Sequence, residues 1–209
     1  MYRPETPAQA WQALREGNDR FIAGLREHPN QDADRRAALT DGQRPFALVF
    51  GCSDSRVAAE IVFDRGLGDL FVVRTAGHVV DTAVLGSIEF GVDLLDIPLV
   101  VVLGHDGCGA VIATLRAHET GEMPGGFVRD IVERVSPSVI TGHLAGHDEL
   151  DEVIDEHTRH TAQLLIERSA VIAKRVADGR CAVVGVNYTL TEGNAQVLDV
   201  FGDIGTSST

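Results

Sequence analysis

Five short apolar runs along the chain alternate with segments in which apolar residues recur every three or four positions. The runs cover residues 45–50, 69–74, 98–105, 181–188 and 195–201. They are almost continuously apolar, which is typical of strands that are buried on both faces of a mostly parallel sheet. The pattern therefore predicts an α/β fold with a central, mostly parallel β-sheet and flanking helices.

Helical spacing of apolar residues predicts helices over residues 57–63, 82–95, 110–117, 127–140 and 148–177. Thr6 as a cap and Pro7 in a first turn begin a further amphipathic helix that contains Trp11. We expect residues 1–43 to form an N-terminal helical arm with a polar linker. The turn-rich stretch TLTEGN between the last two strands also allows an antiparallel hairpin at the sheet edge.

Length, net charge and cysteine content exclude several classes of protein. The 209 residues suit a single domain. A net charge of -13 argues against nucleic acid and anionic membrane surfaces as partners. The sequence has no apolar run of membrane-spanning length and no leader-like N-terminus, and its three cysteines are too few for a disulfide framework. We expect a soluble, cytoplasmic protein.

Two polar clusters follow the first and third predicted strands. They read GCSDSR at residues 51–56 and GHDGCGA at residues 104–110. Ligands of open parallel sheets bind beyond the carboxyl ends of the strands, where both clusters are expected. The glycine-rich dinucleotide pattern, the phosphate-binding loop and the nucleophile elbow are all absent from the sequence.

The clusters contain two thiols and an imidazole, which are ligands that zinc accepts. His105 and Cys108 are spaced to bind one ion from a single turn, and Cys52 comes from another strand. Three protein ligands leave the fourth tetrahedral position open for water, as in catalytic zinc sites. Cys108 begins a predicted helix, whose positive end favours the thiolate.

Asp54 is the candidate base or hydrogen-bond acceptor beside this site. Two thiolates cancel the charge of Zn²⁺, so bound water is less acidic than on a three-histidine zinc and an acceptor is useful. Arg56 can hold the Asp54 carboxylate by a bidentate pair, or Asp54 can itself fill the fourth position and close the site. Gly109 allows the backbone to pass close to the metal and substrate.

CSDSR followed by GHDGCGAV resembles the zinc signatures of the β-class carbonic anhydrases, and the likeness runs from about Trp11 to the final strands. The resemblance implies that Cys52, His105 and Cys108 bind Zn²⁺ and that Asp54 and Arg56 form the family's catalytic dyad. It also implies reversible hydration of CO₂ to bicarbonate and a proton, with hydroxide on zinc as the nucleophile. A homodimer or homotetramer is expected.

The resemblance also suggests residues that contact substrate. Gln43 matches a glutamine that helps to bind substrate across the dimer interface. Phe71, Phe90 and Ala76 fall where the family lines an apolar CO₂ pocket, although Phe90 replaces a frequent tyrosine and Ala76 a frequent valine. Val49 stands where some members have a tryptophan of a regulatory bicarbonate pocket, so we hypothesise that any open–closed switch responds to pH.

Other functions remain open on the sequence alone. The same fold and metal could hydrolyse a related substrate such as carbon disulfide, or the protein could be a non-catalytic, zinc-binding regulatory protein. A thiol redox enzyme with Cys52 as its nucleophile is a third possibility. Cys181 is expected to be a core residue. The remaining histidines considered are expected at the surface, namely His28, His143, His147, His157 and His160.

Overall fold

The computed structural model describes residues 3–147 and 149–205, so that residues 1, 2, 148 and 206–209 lie outside the description. A five-stranded sheet has the order β2-β1-β3-β4-β5. Its strands are β1 (Ala47–Cys52), β2 (Leu70–Thr75), β3 (Leu99–His105), β4 (Ala182–Tyr188) and β5 (Ala195–Phe201). The first four strands are parallel, and β5 pairs antiparallel with β4. The predicted fold class and the edge hairpin are confirmed.

The three inner strands, β1, β3 and β4, are buried on both faces, which explains their continuous hydrophobicity, whereas the edge strands β2 and β5 are only partly buried. Along β3, Leu99, Val101 and Leu103 belong to one apolar cluster, which also contains Trp11 of the N-terminal helix. The intervening residues, Val100 and Val102, belong to a second cluster on the opposite face. All seven residues of β3 are buried. The strand that delivers His105 is therefore fixed by packing on both sides.

Eight α-helices surround the sheet in the described residues. They are α1 (Pro7–Ile22), α2 (Ala33–Ala38), α3 (Ala59–Val62), α4 (Thr82–Glu89), α5 (Gly109–Thr120), α6 (Val128–Leu144), α7 (Leu150–Arg168) and α8 (Ala170–Ala177). The short α2 lies in the segment predicted as a polar linker. The Asp32 side chain caps it by accepting a hydrogen bond from the backbone N–H of Arg35. It has no buried residue, so apolar periodicity could not reveal it.

Two helices predicted as continuous are interrupted. The segment 82–95 is α-helical only to Glu89 and continues as a π-helical turn, Phe90–Leu94. The segment predicted from residue 148 breaks at Ser169, which has an extended backbone; Asp148 itself lies outside the described residues. The Ser169 hydroxyl accepts from the N–H of Ile172 and donates to the Glu89 carboxylate. Ser169 is thus both the residue at which α7 ends and the N-cap of α8.

None of the helices in the described parts of the chain combines the length and the apolar character needed to cross a membrane.

Candidate metal centre

Two neighbouring strands carry the predicted ligands to the same edge of the sheet. β1 ends at Cys52 and β3 ends at His105, and the two strands are paired in parallel. Cys108 is the N-terminal cap residue of α5. The Sγ atoms of both cysteines and a ring nitrogen of His105 all lie within 4.8 Å of one another. The structure therefore brings the three predicted ligands together.

The protein environment of these three side chains fits a bound metal ion. The side chains are at most 6 % exposed. His105 Nδ1 lies 2.8 Å from the Asp106 carbonyl, which can only accept, so Nδ1 carries the proton. Its Nε2 is buried and has no hydrogen-bond partner among the described residues. A buried lone pair beside two thiols would be costly without a ligand, and a metal ion would satisfy it.

The two thiols lie beside each other and affect each other's ionisation. A hydrogen bond from Cys108 lowers the pKa of Cys52, against the opposing effect of burial. The same hydrogen bond and burial raise the pKa of Cys108. Burial acts to lower the pKa of His105, but its contacts with Cys52 outweigh burial and raise it. Cys52 is therefore the first of the two thiols to ionise.

Asp54 and Arg56 form the pair expected from the sequence. Arg56 Nε and Nη2 donate to the two Asp54 carboxylate oxygens at 2.9 and 2.7 Å, and the Arg56 backbone N–H donates to Oδ1 at 2.9 Å. These hydrogen bonds hold the pKa of Asp54 below its ordinary value. Asp54 Oδ2 also lies 4.0 Å from His105 Nε2. The structure thus places an ionised carboxylate, engaged by arginine, beside the metal ligands.

Arg74 holds the turn that carries Cys52 and Asp54. Its guanidinium donates to the carbonyls of Cys52 at 2.9 Å and of Asp54 at 2.6 Å. Val49 is buried in the core on β1 and is 1 % exposed. Arg74 therefore orders backbone at the metal centre, and Val49 offers no polar atom to a pocket beside it.

The residues predicted to contact substrate occupy different places in the chain. Ala76 and Gly109 are exposed and are next to Gly77 and Cys108 respectively, so both are near the cluster. Gln43 is exposed in the loop before β1. Phe71 and Phe90 stack with ring centroids 6.2 Å apart.

The stacked pair is distant from the cluster within one chain. Phe71 pairs with Leu48, four residues before Cys52 on β1, which corresponds to roughly 13 Å along the strand. That Phe71 and Phe90 line a CO₂ pocket stays a prediction, and so does the role of Gln43 in binding substrate.

One histidine prediction is wrong. His157 was expected at the surface but is 2 % exposed, because it lies on the buried face of α7 with Ile154 and Thr161. Its i+3 and i+4 spacing from those residues was the signal in the sequence. His78, which the sequence analysis did not single out, is fully buried, with its ring centroid 4.5 Å from that of His157. No helical or strand pattern marks it, because it lies in a single 3-10 turn, Ala76–His78.

The other histidines and Cys181, for which no functional role was predicted, lie closer to their expected positions. His28 and His143 are exposed, whereas His147 and His160 are partly buried. Cys181 is buried in the second apolar cluster, as predicted for a core residue.

The fold and the site define an α/β protein with a Cys–His–Cys cluster that could hold a metal ion at the carboxyl edge of a parallel sheet. A family model described as "Carbonic anhydrase" matches residues 47–195. The chain is 57% identical over 199 residues to "Carbonic anhydrase 2" of Mycobacterium tuberculosis, covering 95% of this chain and 96% of the relative. It is 58% identical to "Carbonic anhydrase" of Mycolicibacterium smegmatis, with 95% and 97% covered.

Solved structures agree in fold. The β-carbonic anhydrase of Coccomyxa, solved with acetazolamide, superposes with a TM-score of 0.72 at 24% identity, covering 92% of this chain and 86% of that one. A structure described as one of two tetrameric β-carbonic anhydrases from Sordaria macrospora gives a TM-score of 0.69 at 25% identity, with 90% and 95% covered. The chain belongs to the β-carbonic anhydrase family.

Proposed function

We propose that the protein is a zinc-dependent carbonic anhydrase that catalyses the reversible hydration of CO₂ to bicarbonate and a proton. Cys52, His105 and Cys108 would hold the zinc. The observation that carries the proposal is the buried His105 Nε2, which has no hydrogen-bond partner among the described residues and lies within 4.8 Å of two thiol sulfurs. Thiolate and imidazole are the ligands that zinc selects, and three of them leave one coordination position for chemistry.

Zinc, when bound, acts as a Lewis acid that makes water a competent nucleophile near neutral pH. The chain supplies the environment for that step. Asp54 stays ionised, since Arg56 hydrogen bonds hold its pKa low, so its carboxylate would accept a hydrogen bond from the reacting water and orient it.

Arg56 also decides whether the site is open. Both Asp54 oxygens are engaged by the guanidinium, which keeps the carboxylate from acting as a fourth ligand. Asp54 Oδ2 is 4.0 Å from His105 Nε2, so the carboxylate would be at hand as a fourth ligand if Arg56 released it. We interpret this arrangement as the open, substrate-accepting state.

The substrate pocket and assembly follow from the family resemblance. We propose that Gly109 contacts the substrate, that Phe71, Phe90 and Ala76 line an apolar CO₂ pocket, and that Gln43 helps to bind substrate across the dimer interface. The proposed protein is a cytoplasmic homodimer or homotetramer of single-domain chains.

Stopped-flow CO₂ hydration across pH 6.5 to 9, on zinc-loaded and chelator-treated protein, tests the proposal. We expect turnover that vanishes on chelation and returns with zinc. Cys108→Ser should remove zinc and activity together. Cys181→Ser is the matched control, because Cys181 is also buried but lies in the second apolar cluster, away from the proposed ligands.

Two results would contradict the proposal. One is the absence of CO₂ hydration at every pH in protein that contains one zinc per chain. The other is activity that survives complete zinc removal, which would favour thiol chemistry at Cys52.

A further inference from the structure

A chain of hydrogen bonds links a buried histidine on α7 to one of the proposed metal ligands. It runs from the Ser138 hydroxyl through the His157 ring and residue Gly77 to Cys52 Sγ. We propose that His157 is a positioning residue of the metal centre, which anchors Gly77 so that its N–H remains directed at the Cys52 thiolate. This inference rests on the proposed function, since it needs Cys52 as a ligand.

The tautomer of His157 is fixed by its two partners. His157 Nε2 lies 2.8 Å from the Gly77 carbonyl oxygen, which only accepts, so Nε2 carries the proton. Burial lowers the pKa of His157 to about 4, so the ring is neutral near pH 7. Nδ1 therefore accepts, and the Ser138 hydroxyl at 2.8 Å donates to it. The ring can then donate in one direction only, toward Gly77.

Gly77 depends on such external support because it has no side chain to hold it. Its φ of 63° and ψ of 24° are left-handed, and a Cβ there would lie 2.5 Å from the Ala110 Cβ. Its N–H donates to Cys52 Sγ at 3.3 Å, and its carbonyl accepts from His157. These two hydrogen bonds fix the peptide planes on both sides of its Cα.

His157 is itself held firmly. It is 2 % exposed, and the His78 ring lies against it with centroids 4.5 Å apart. Helix α7, which carries it, also packs against β3 and β4. Through its hydrogen bond to His157, the Gly77 carbonyl is therefore held in a fixed position relative to the sheet that carries His105.

An N–H donor to a metal thiolate does two things. It fixes the direction of the sulfur lone pairs, and it withdraws electron density from the sulfur. Partners of metal ligands typically change metal affinity by about 10–100-fold when they are removed. Loss of the His157 anchor should therefore weaken zinc binding and raise the energy of the sulfur electrons.

The test uses His157→Leu, which cannot donate to Gly77, and His157→Gln, whose side-chain amide can. Ser138→Ala is a milder variant that removes only the donor to Nδ1. The matched control is His160→Leu, one turn further along α7 and half-buried, without a role in the chain of hydrogen bonds. Each full-length protein is assayed for zinc Kd by competition with a chelator and, loaded with Co²⁺, for its sulfur-to-cobalt charge-transfer band.

We expect His157→Leu to raise the zinc Kd at least about 10-fold and to move the charge-transfer band to longer wavelength. Ser138→Ala should shift both in the same direction by less, and His157→Gln should restore values near wild type. His160→Leu should change neither. A general structural role would weaken binding without the band shift and without rescue by glutamine.

The proposal would be overturned if folded His157→Leu and Ser138→Ala had the zinc Kd and the charge-transfer band of the wild type. It would also be overturned if His160→Leu changed both quantities as much as His157→Leu does. If His157→Leu does not fold, Ser138→Ala decides: a shift in both readouts supports the proposal, and wild-type values overturn it. Failure of the proposed function gives a different result, in which wild-type protein binds metal normally but does not hydrate CO₂.

Discussion

Replacing Gly77 by alanine tests how tightly the backbone beside the metal centre is constrained. Two separate penalties apply to Gly77→Ala. A left-handed backbone costs a residue with a Cβ about 1–2 kcal/mol. The new Cβ would also lie 2.5 Å from the Ala110 Cβ on α5, and overpacking of this kind costs about 1–3 kcal/mol. Together they predict a loss of about 2–5 kcal/mol in the free energy of unfolding.

Gly121→Ala separates the two penalties. Gly121 has a φ of 74° at the end of α5, but a Cβ there would have no atom of the described residues within 4 Å. This variant should therefore lose only the backbone penalty of about 1–2 kcal/mol. The difference between the two variants measures the contact with Ala110.

Urea and thermal unfolding of chelator-treated protein give both values. A chain of this size loses about 2–4 °C in Tm per kcal/mol, so we expect decreases of about 4–20 °C for Gly77→Ala and about 2–8 °C for Gly121→Ala. Zinc affinity should fall only in Gly77→Ala, because that change displaces the N–H that contacts Cys52 Sγ. Equal stability losses and equal zinc affinities in the two variants would refute the reasoning.

Three further predictions concern other parts of the site. Arg56→Gln should raise the pKa of Asp54 toward its ordinary value, because the hydrogen bonds that lower it are lost; carboxyl NMR titration would contradict this by showing no shift. His157 has a folded pKa of about 4, below the unfolded value, so stability should fall as the pH drops from about 6.5 through about 4. Urea unfolding of chelator-treated protein measures this, and His157→Gln should reduce the slope, the remainder coming from groups such as His78 whose pKa burial also lowers. Gly104→Ala places a Cβ against the Thr158 hydroxyl and should lose about 1–3 kcal/mol. Adding Thr158→Ala should recover part of that loss, and strictly additive effects would contradict the contact.

The sequence was most informative where one physical constraint dominated. Strands buried on both faces must be continuously apolar, so the inner strands β1, β3 and β4 were visible, and the ends of β1 and β3 marked Cys52 and His105. The break at Ser169 was not visible, because helical periodicity continues through it and only the contact with Glu89, remote in sequence, explains it. The orientation of Gly77 was also hidden, since it depends on His157 and Ala110 from two different helices.

The adjacency of β1 and β3 sets the order of events when the chain folds. Cys52 and His105 are 53 positions apart in the sequence, and the intervening segment contains edge strand β2 and α4. A ribosome therefore exposes Cys52 well before its partner ligands, and closing a loop of that length has an entropic penalty that the pairing of β1 with β3 helps to offset. The complete Cys–His–Cys cluster should consequently form only after these two strands have docked.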